Sequence, residues 1–195
     1  TIPSFSRALS IGVTTLETDV GVTSDGVLVI HHDQGLNPDI ARNGNGEWIN
    51  GKPLLRSLTL EQVRGYDVGR IKPGTRYADN FASQSAMDGT RIPTLAELFA
   101  LAAKPENAHV RLALETKVNP LEPGNTLGPE EFATQLVEAI RKAGMEKRAA
   151  VISFDWRTLQ VVQKIAPEIA TTYITARQSW LDTIKSRDGG VSPWV

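Results

Sequence analysis

Apolar residues recur along this chain with two alternating periods, and the alternation outlines a fold. Residues 2–11 set Phe5 and Leu9 four apart ahead of Gly12, which predicts the closing turns of an amphipathic helix and its stop. Residues 13–22 switch to period two. Thr14, Leu16, Thr18, Val20 and Val22 share one face of that predicted strand; Val13, Thr15, Glu17, Asp19 and Gly21 share the other. A Ser24-Asp25-Gly26 turn leads to a short apolar run, 27–30, that ends in His31, His32 and Asp33. Farther on, Thr94 and Glu97 have capping-box spacing before Leu95, Leu98, Phe99 and Leu101. Residues 110–116, 149–154 and 170–175 read as strands. Residues 129–143 read as a helix striped by Phe132, Leu136 and Ile140, and Asp155 caps another with Leu159, Val162 and Ile165.

Between these regular pieces, residues 34–92 are rich in Gly, Pro and polar side chains, with one short helix expected after a capping box from Thr59 to Gln62. An irregular stretch of this length is uncommon inside a compact domain and is usually functional. It is expected to be a loop-rich insertion in a single domain over residues 1–195, shaping a substrate entrance. Repeated strand-then-helix units predict a parallel sheet covered by helices. No Gly-x-Gly-x-x-Gly follows a strand, so nothing supports a dinucleotide-binding sheet. The polar clusters fall at strand ends, where a (β/α)8 barrel gathers its chemistry, and the barrel is favoured.

Composition narrows the function classes. Twenty-one Lys and Arg against 22 Asp and Glu give a formal net charge of −1, which removes the electrostatic case for a dedicated nucleic-acid or membrane-surface binder. No apolar run approaches the roughly 18 residues of a membrane span. Without cysteine there is no thiolate metal site and no cysteine nucleophile, and the compartment stays open.

The acidic positions carry the chemistry. Glu17 and Asp19 leave one strand face about 7 Å apart at the backbone. If that face is buried, the pair needs a proton or a cation, and a hard ion such as Mg2+ or Ca2+ suits two oxygen ligands; the alternative is a solvated face with no role. Glu115 and Lys117 repeat the pattern beside Arg111 and Ala113. They read either as a third carboxylate with an ammonium for an anionic substrate, or as an internal ion pair. His32 at a strand end suits general acid or base work, or a loop role. His109, at the start of a strand, reads as structural; Trp48, Trp156, Trp180 and Trp194 could line a pocket, with core or helix packing the default for each. Ser6, Ser10 and Ser153 lack a nucleophile-elbow context. A carboxylate-pair glycosidase stays open, since spacing does not measure the separation it requires.

The order of the motifs is itself informative. Ile2-Pro3-Ser4-Phe5, Leu16-Glu17-Thr18-Asp19-Val20, Val29-Ile30-His31-His32-Asp33, Arg91-Ile92-Pro93-Thr94-Leu95, Leu114-Glu115-Thr116-Lys117 and Ser153-Phe154 together resemble the glycerophosphodiester phosphodiesterase family. The resemblance implies a barrel of the triosephosphate isomerase type. It also implies hydrolysis of glycerophosphodiesters, such as glycerophosphocholine, to glycerol 3-phosphate and an alcohol. By the same resemblance Glu17, Asp19 and Glu115 would hold a divalent metal ion, His32 would be a general acid, and Lys117 would contact the phosphate. His31 stands where the family has no histidine. The family's opening His-Arg-Gly strand and its last two strands have no counterpart here, so strands two to six of the barrel are expected and the chain alone is expected to be inactive. Two other functions are set against hydrolysis: a phospholipase-like reaction forming a cyclic phosphate, and a non-catalytic barrel that only binds.

Overall fold

The computed structural model describes residues 1–186 and 188–195. Helix α1 (Ile2–Ile11) stops at Gly12, whose φ of 95° is open to glycine, and its N–H is donated to the Leu9 carbonyl. Strand β1 (Thr15–Val22) follows, then β2 (Leu28–Ile30). The excursion contributes a 3-10 turn, Leu55–Ser57, and the short helices α2 (Leu60–Arg64) and α3 (Arg76–Asn80). Helix α4 (Leu95–Ala102) leads to β3 (Arg111–Thr116), α5 (Pro129–Lys142), β4 (Ala149–Ser153), α6 (Trp156–Ile165) and β5 (Ala170–Tyr173). Both capping boxes form: Thr59 with Gln62 and Thr94 with Glu97 exchange side-chain and backbone hydrogen bonds in both directions.

One five-stranded sheet has the order β2-β1-β3-β4-β5. Strands β1, β3, β4 and β5 run parallel, as the alternation of strands and helices requires. Strand β2 does not. It returns from the Ser24–Gly26 turn and pairs antiparallel with β1, Val20 opposite Ile30 and Val22 opposite Leu28. A connection of five residues is too short for a parallel crossover, which needs a dozen or more. The strand leading to His32 is therefore a hairpin return and not a barrel stave, so four parallel strands replace the expected five.

The helices cover one face. Leu16, Val20, Leu112, Leu114 and Val151 point from the sheet into a core shared with Phe5, Leu98, Phe132, Leu136, Ile140 and Leu159. Residues 132, 136 and 140 lie four apart on α5, so one stripe of that helix is buried and the rest meets water. On the other face Thr15 and Glu17 are exposed and Ala113, Ala150 and Ile152 are half-buried. The result is an arc of parallel strands with helices outside and the carboxylate-bearing face within.

The excursion is more ordered than its composition suggests. Val29, Leu36, Ala41, Leu55, Val63 and Ile92 form a second apolar cluster. Around it, Asp67 accepts the Gly69 and Gly89 backbone N–H groups at 2.9 and 2.8 Å and Arg42 at 2.6 Å. Arg42 also reaches Asp88 at 2.6 Å, and its guanidinium lies 5.5 Å from the Trp48 ring centroid. Burial opposes ionisation of Asp67, yet those backbone donors and Arg42 outweigh it and hold its carboxyl below the usual range. Gly69 lies so close to the Met87 carbonyl that a Cβ would sit 1.8 Å from the oxygen. Asp67→Ala removes a half-buried partner of Arg42 and the acceptor of two backbone N–H groups, and is expected to cost about 1–3 kcal/mol in urea unfolding. Amide exchange should speed up around residues 67–90 and stay unchanged in β3 and β4.

Candidate active site

Register brings the acidic residues together. In the β1–β3 ladder Asp19 is the direct neighbour of Glu115, and Glu17 lies one side-chain repeat back on the same face as Asp19. Oxygens of Glu17, Asp19 and Glu115 lie within 4.8 Å of one another. The Glu115 side chain is only 9% exposed, so its charge cannot rely on water. Lys117 meets it: Nζ lies 2.6 Å from Glu115 Oε1 and 2.8 Å from Asp19 Oδ1. Of the two roles open to this lysine, the structure shows the internal ion pair. Burial pulls against the Lys117 ammonium, but its hydrogen bonds to Asp19 and Glu115 win and raise its pKa. Glu17, though exposed at its edge, has its pKa raised, first through partial desolvation against the strand and then through the charges of Asp19 and Glu115.

These residues fit a divalent cation. Oxygens alone converge, the donor set of a hard ion. One ammonium pairs with two of the three carboxylates, Asp19 and Glu115, and three carboxylates against one ammonium leave negative charge for a cation to meet.

The hairpin supplies the histidines. The His31 backbone N–H is donated to the Asp19 carbonyl, which ties the end of β2 to the middle of β1. The His31 ring turns inward, Nε2 3.2 Å from the Gly35 carbonyl, and burial lowers its pKa, so it is held neutral as a structural donor. His32 points the other way, with its side chain 72% exposed. Its Nδ1 lies 2.8 Å from Asp33 Oδ1, which fixes the Nδ1–H tautomer when the ring is neutral and leaves Nε2 facing outward. Gly35 allows this turn to close: a Cβ there would meet the Lys52 and Pro53 carbonyl oxygens at 2.8 Å.

His32, Asp33, Glu115 and Lys117 border a cleft of about 500 Å³. Lys52 reaches it from the excursion, and Leu54, Leu121, Phe154 and Trp194 line the rest. Asn125 Nδ2 donates to Gln34 Oε1 at 3.0 Å, joining the loop after β3 to the histidine turn. Of the two readings open for the tryptophans, Trp194 takes the pocket-lining one, at the cleft, and Trp180 is 72% exposed. Trp156 packs edge-on to Tyr173 at 5.1 Å, and the Arg42 guanidinium lies over Trp48. Asp33 was legible as the residue beside His32. Lys52 and Leu121 gave no signal, because only the folding back of two loops brings them to the cleft. Ser153 is buried and accepts a hydrogen bond from Thr116, a structural place, and His109 is exposed at the opposite end of β3 from Lys117.

An arc of parallel strands with acidic and cationic side chains gathered near their carboxyl ends defines a barrel-type α/β protein with its chemistry at that face. A sequence model of the glycerophosphoryl diester phosphodiesterase family matches residues 1–189, and the chain belongs to that family. It is 32% identical over 169 residues to a glycerophosphodiester phosphodiesterase of Caldanaerobacter subterraneus subsp. tengcongensis, covering 87% of this chain and 58% of that protein. The fold superposes at a TM-score of 0.82 and 32% identity on a candidate glycerophosphoryl diester phosphodiesterase from Silicibacter pomeroyi DSS-3, over 89% of this chain and 58% of the other. A phosphodiesterase from Oleispira antarctica, solved with its product sn-glycerol-3-phosphate, shares the fold at a TM-score of 0.64 and 23% identity, over 92% and 62% of the two chains. The chain thus spans about three fifths of the length of these relatives. No helix among the described residues is long and apolar enough to cross a membrane.

The Asp33 hydrogen bond is the largest influence on His32 and raises its pKa against burial and the Lys117 charge. The imidazolium therefore persists to higher pH than in a free histidine. Asp33→Ala is expected to move the His32 titration to lower pH in histidine NMR; an unmoved titration would show that the pair does not act on the ring.

Proposed function

We propose that the complete protein is a metal-dependent phosphodiesterase that hydrolyses glycerophosphodiesters to glycerol 3-phosphate and an alcohol. The observation that supports this most is the convergence, on adjacent parallel strands, of Glu17, Asp19, Glu115 and Lys117 beside a cleft bordered by His32. Family membership supports the substrate class. Glu17, Asp19 and Glu115 would hold a divalent ion, Mg2+ or Ca2+, which would neutralise phosphate charge and polarise a phosphoryl oxygen.

The chain's own residues supply the remaining roles. His32, oriented through Nδ1 by Asp33, whose hydrogen bond raises its pKa, donates the Nε2 proton to the departing alkoxide. Lys117 offers an ammonium for a non-bridging phosphate oxygen. Leu54, Leu121, Phe154 and Trp194 give the cleft apolar lining, against which an alcohol group would lie. Hydrolysis by water is favoured over a cyclic product by family membership.

The test is release of glycerol 3-phosphate from glycerophosphocholine by the full-length protein, followed by phosphorus NMR with added Mg2+ or Ca2+ and with EDTA. EDTA-sensitive release is expected; release that EDTA leaves unchanged would remove the metal, and a persistent cyclic ester would replace hydrolysis by transfer. Glu115→Gln is expected to weaken metal binding and turnover together. His32→Ala should spare metal binding and lower kcat about 100-fold or more.

A further inference from the structure

The ion pair at Lys117 conflicts with the role proposed for it. An ammonium at 2.6 and 2.8 Å from two carboxylates has spent its charge on them and is not free for phosphate. Both acceptors, Glu115 and Asp19, belong to the set that would hold the metal. A metal ion sharing these oxygens would stand close to the ammonium, and like charges at that separation repel strongly where water is scarce.

We infer that Lys117 is an exchangeable counter-cation: it neutralises Asp19 and Glu115 when they hold no metal, and metal uptake releases its ammonium toward the phosphate. The inference rests on the metal-dependent reading above and adds a coupling between metal loading and substrate binding. Charge supports it. Three carboxylates with Lys117 alone leave two negative charges uncompensated, which would repel an anionic substrate. With a divalent ion on the carboxylates, the cluster including Lys117 has zero net charge, and the freed ammonium matches the single negative charge of a phosphodiester. Geometry permits the movement. Lys117 follows the last residue of β3, its side chain is 18% exposed, and it borders the cleft through a flexible four-carbon stem. A substrate arriving before the metal would meet a lysine already engaged, so the exchange imposes an order of binding.

Calcium binding to the full-length protein, measured by titration calorimetry, tests the exchange. Lys117→Met removes the competing cation and is expected to bind Ca2+ about tenfold more tightly than wild type. Lys117→Arg retains a cation and should not tighten binding. Equal or weaker binding by Lys117→Met would overturn the exchange while leaving the metal site standing. Absence of Ca2+ and Mg2+ binding in both proteins at millimolar concentration would overturn the metal reading and the exchange with it. A second measurement needs no variant: acetylation of wild-type lysines by an amine reagent, followed by peptide mass spectrometry. Lys117 should become more reactive on Ca2+ saturation while exposed Lys52 does not change. Unchanged Lys117 reactivity would overturn the proposal even if Lys117→Met failed to fold.

Discussion

Like charge held at close quarters is the constraint on which the site depends. The parallel register of β1 on β3 sets Asp19 beside Glu115, and strand periodicity adds Glu17 from the same face. Three carboxylates so placed, one of them nearly buried, are unstable without positive charge. Lys117 supplies part of it from the residue next to the strand end, two positions beyond Glu115. The helical core behind the sheet makes this arrangement rigid. Leu112 and Leu114 fix the opposite face of β3 and Leu16 and Val20 that of β1, so neither strand can slip without moving its whole apolar set into water.

The hairpin has a second consequence: it brings a histidine, the proposed proton donor, to the same cleft. A barrel stave would deliver its end residues farther along the axis. The return of β2 along β1 instead places His31 at the level of Asp19, and the inward ring of His31 leaves His32 to face the cleft. The excursion then closes the turn from outside, where the Gly35 backbone packs against Lys52 and Pro53. Its apolar cluster and the Arg42–Asp67–Asp88 network give that closure a stable base, which ties a segment distant in sequence to the orientation of the histidine.

Much of the fold was legible because local rules agreed with the tertiary outcome. Both capping boxes, the Gly12 stop, the period-two faces of β1 and β3 and the Phe132–Leu136–Ile140 stripe each named an element correctly, with ends moved by one or two residues. The direction of β2 is not legible in its own residues, because a run of three or four apolar residues has no orientation; the five-residue connection to β1 is what dictates it. Order within residues 34–92 was hidden because its apolar residues, such as Leu36, Ala41 and Val63, are too far apart to show a period and meet only in space. At the site, strand parity put Glu17 with Asp19 and Glu115 with Lys117 on shared faces and only the family resemblance grouped the three carboxylates, whereas the pairing of Lys117 with Asp19 requires the inter-strand register. Trp194 lay beyond any such rule, since a lone aromatic beside Ser192 and Pro193 carries no periodicity.

The proposed chemistry requires a single cation held by residues from two strands. Crystals of the full-length protein soaked in Mn2+, with diffraction collected near the manganese absorption edge, test that directly. One anomalous peak within coordination distance of Glu17, Asp19 and Glu115 is the expected result, with Lys117 Nζ withdrawn from the carboxylates. A peak at other residues, or none among these three carboxylates at saturating Mn2+, would contradict it.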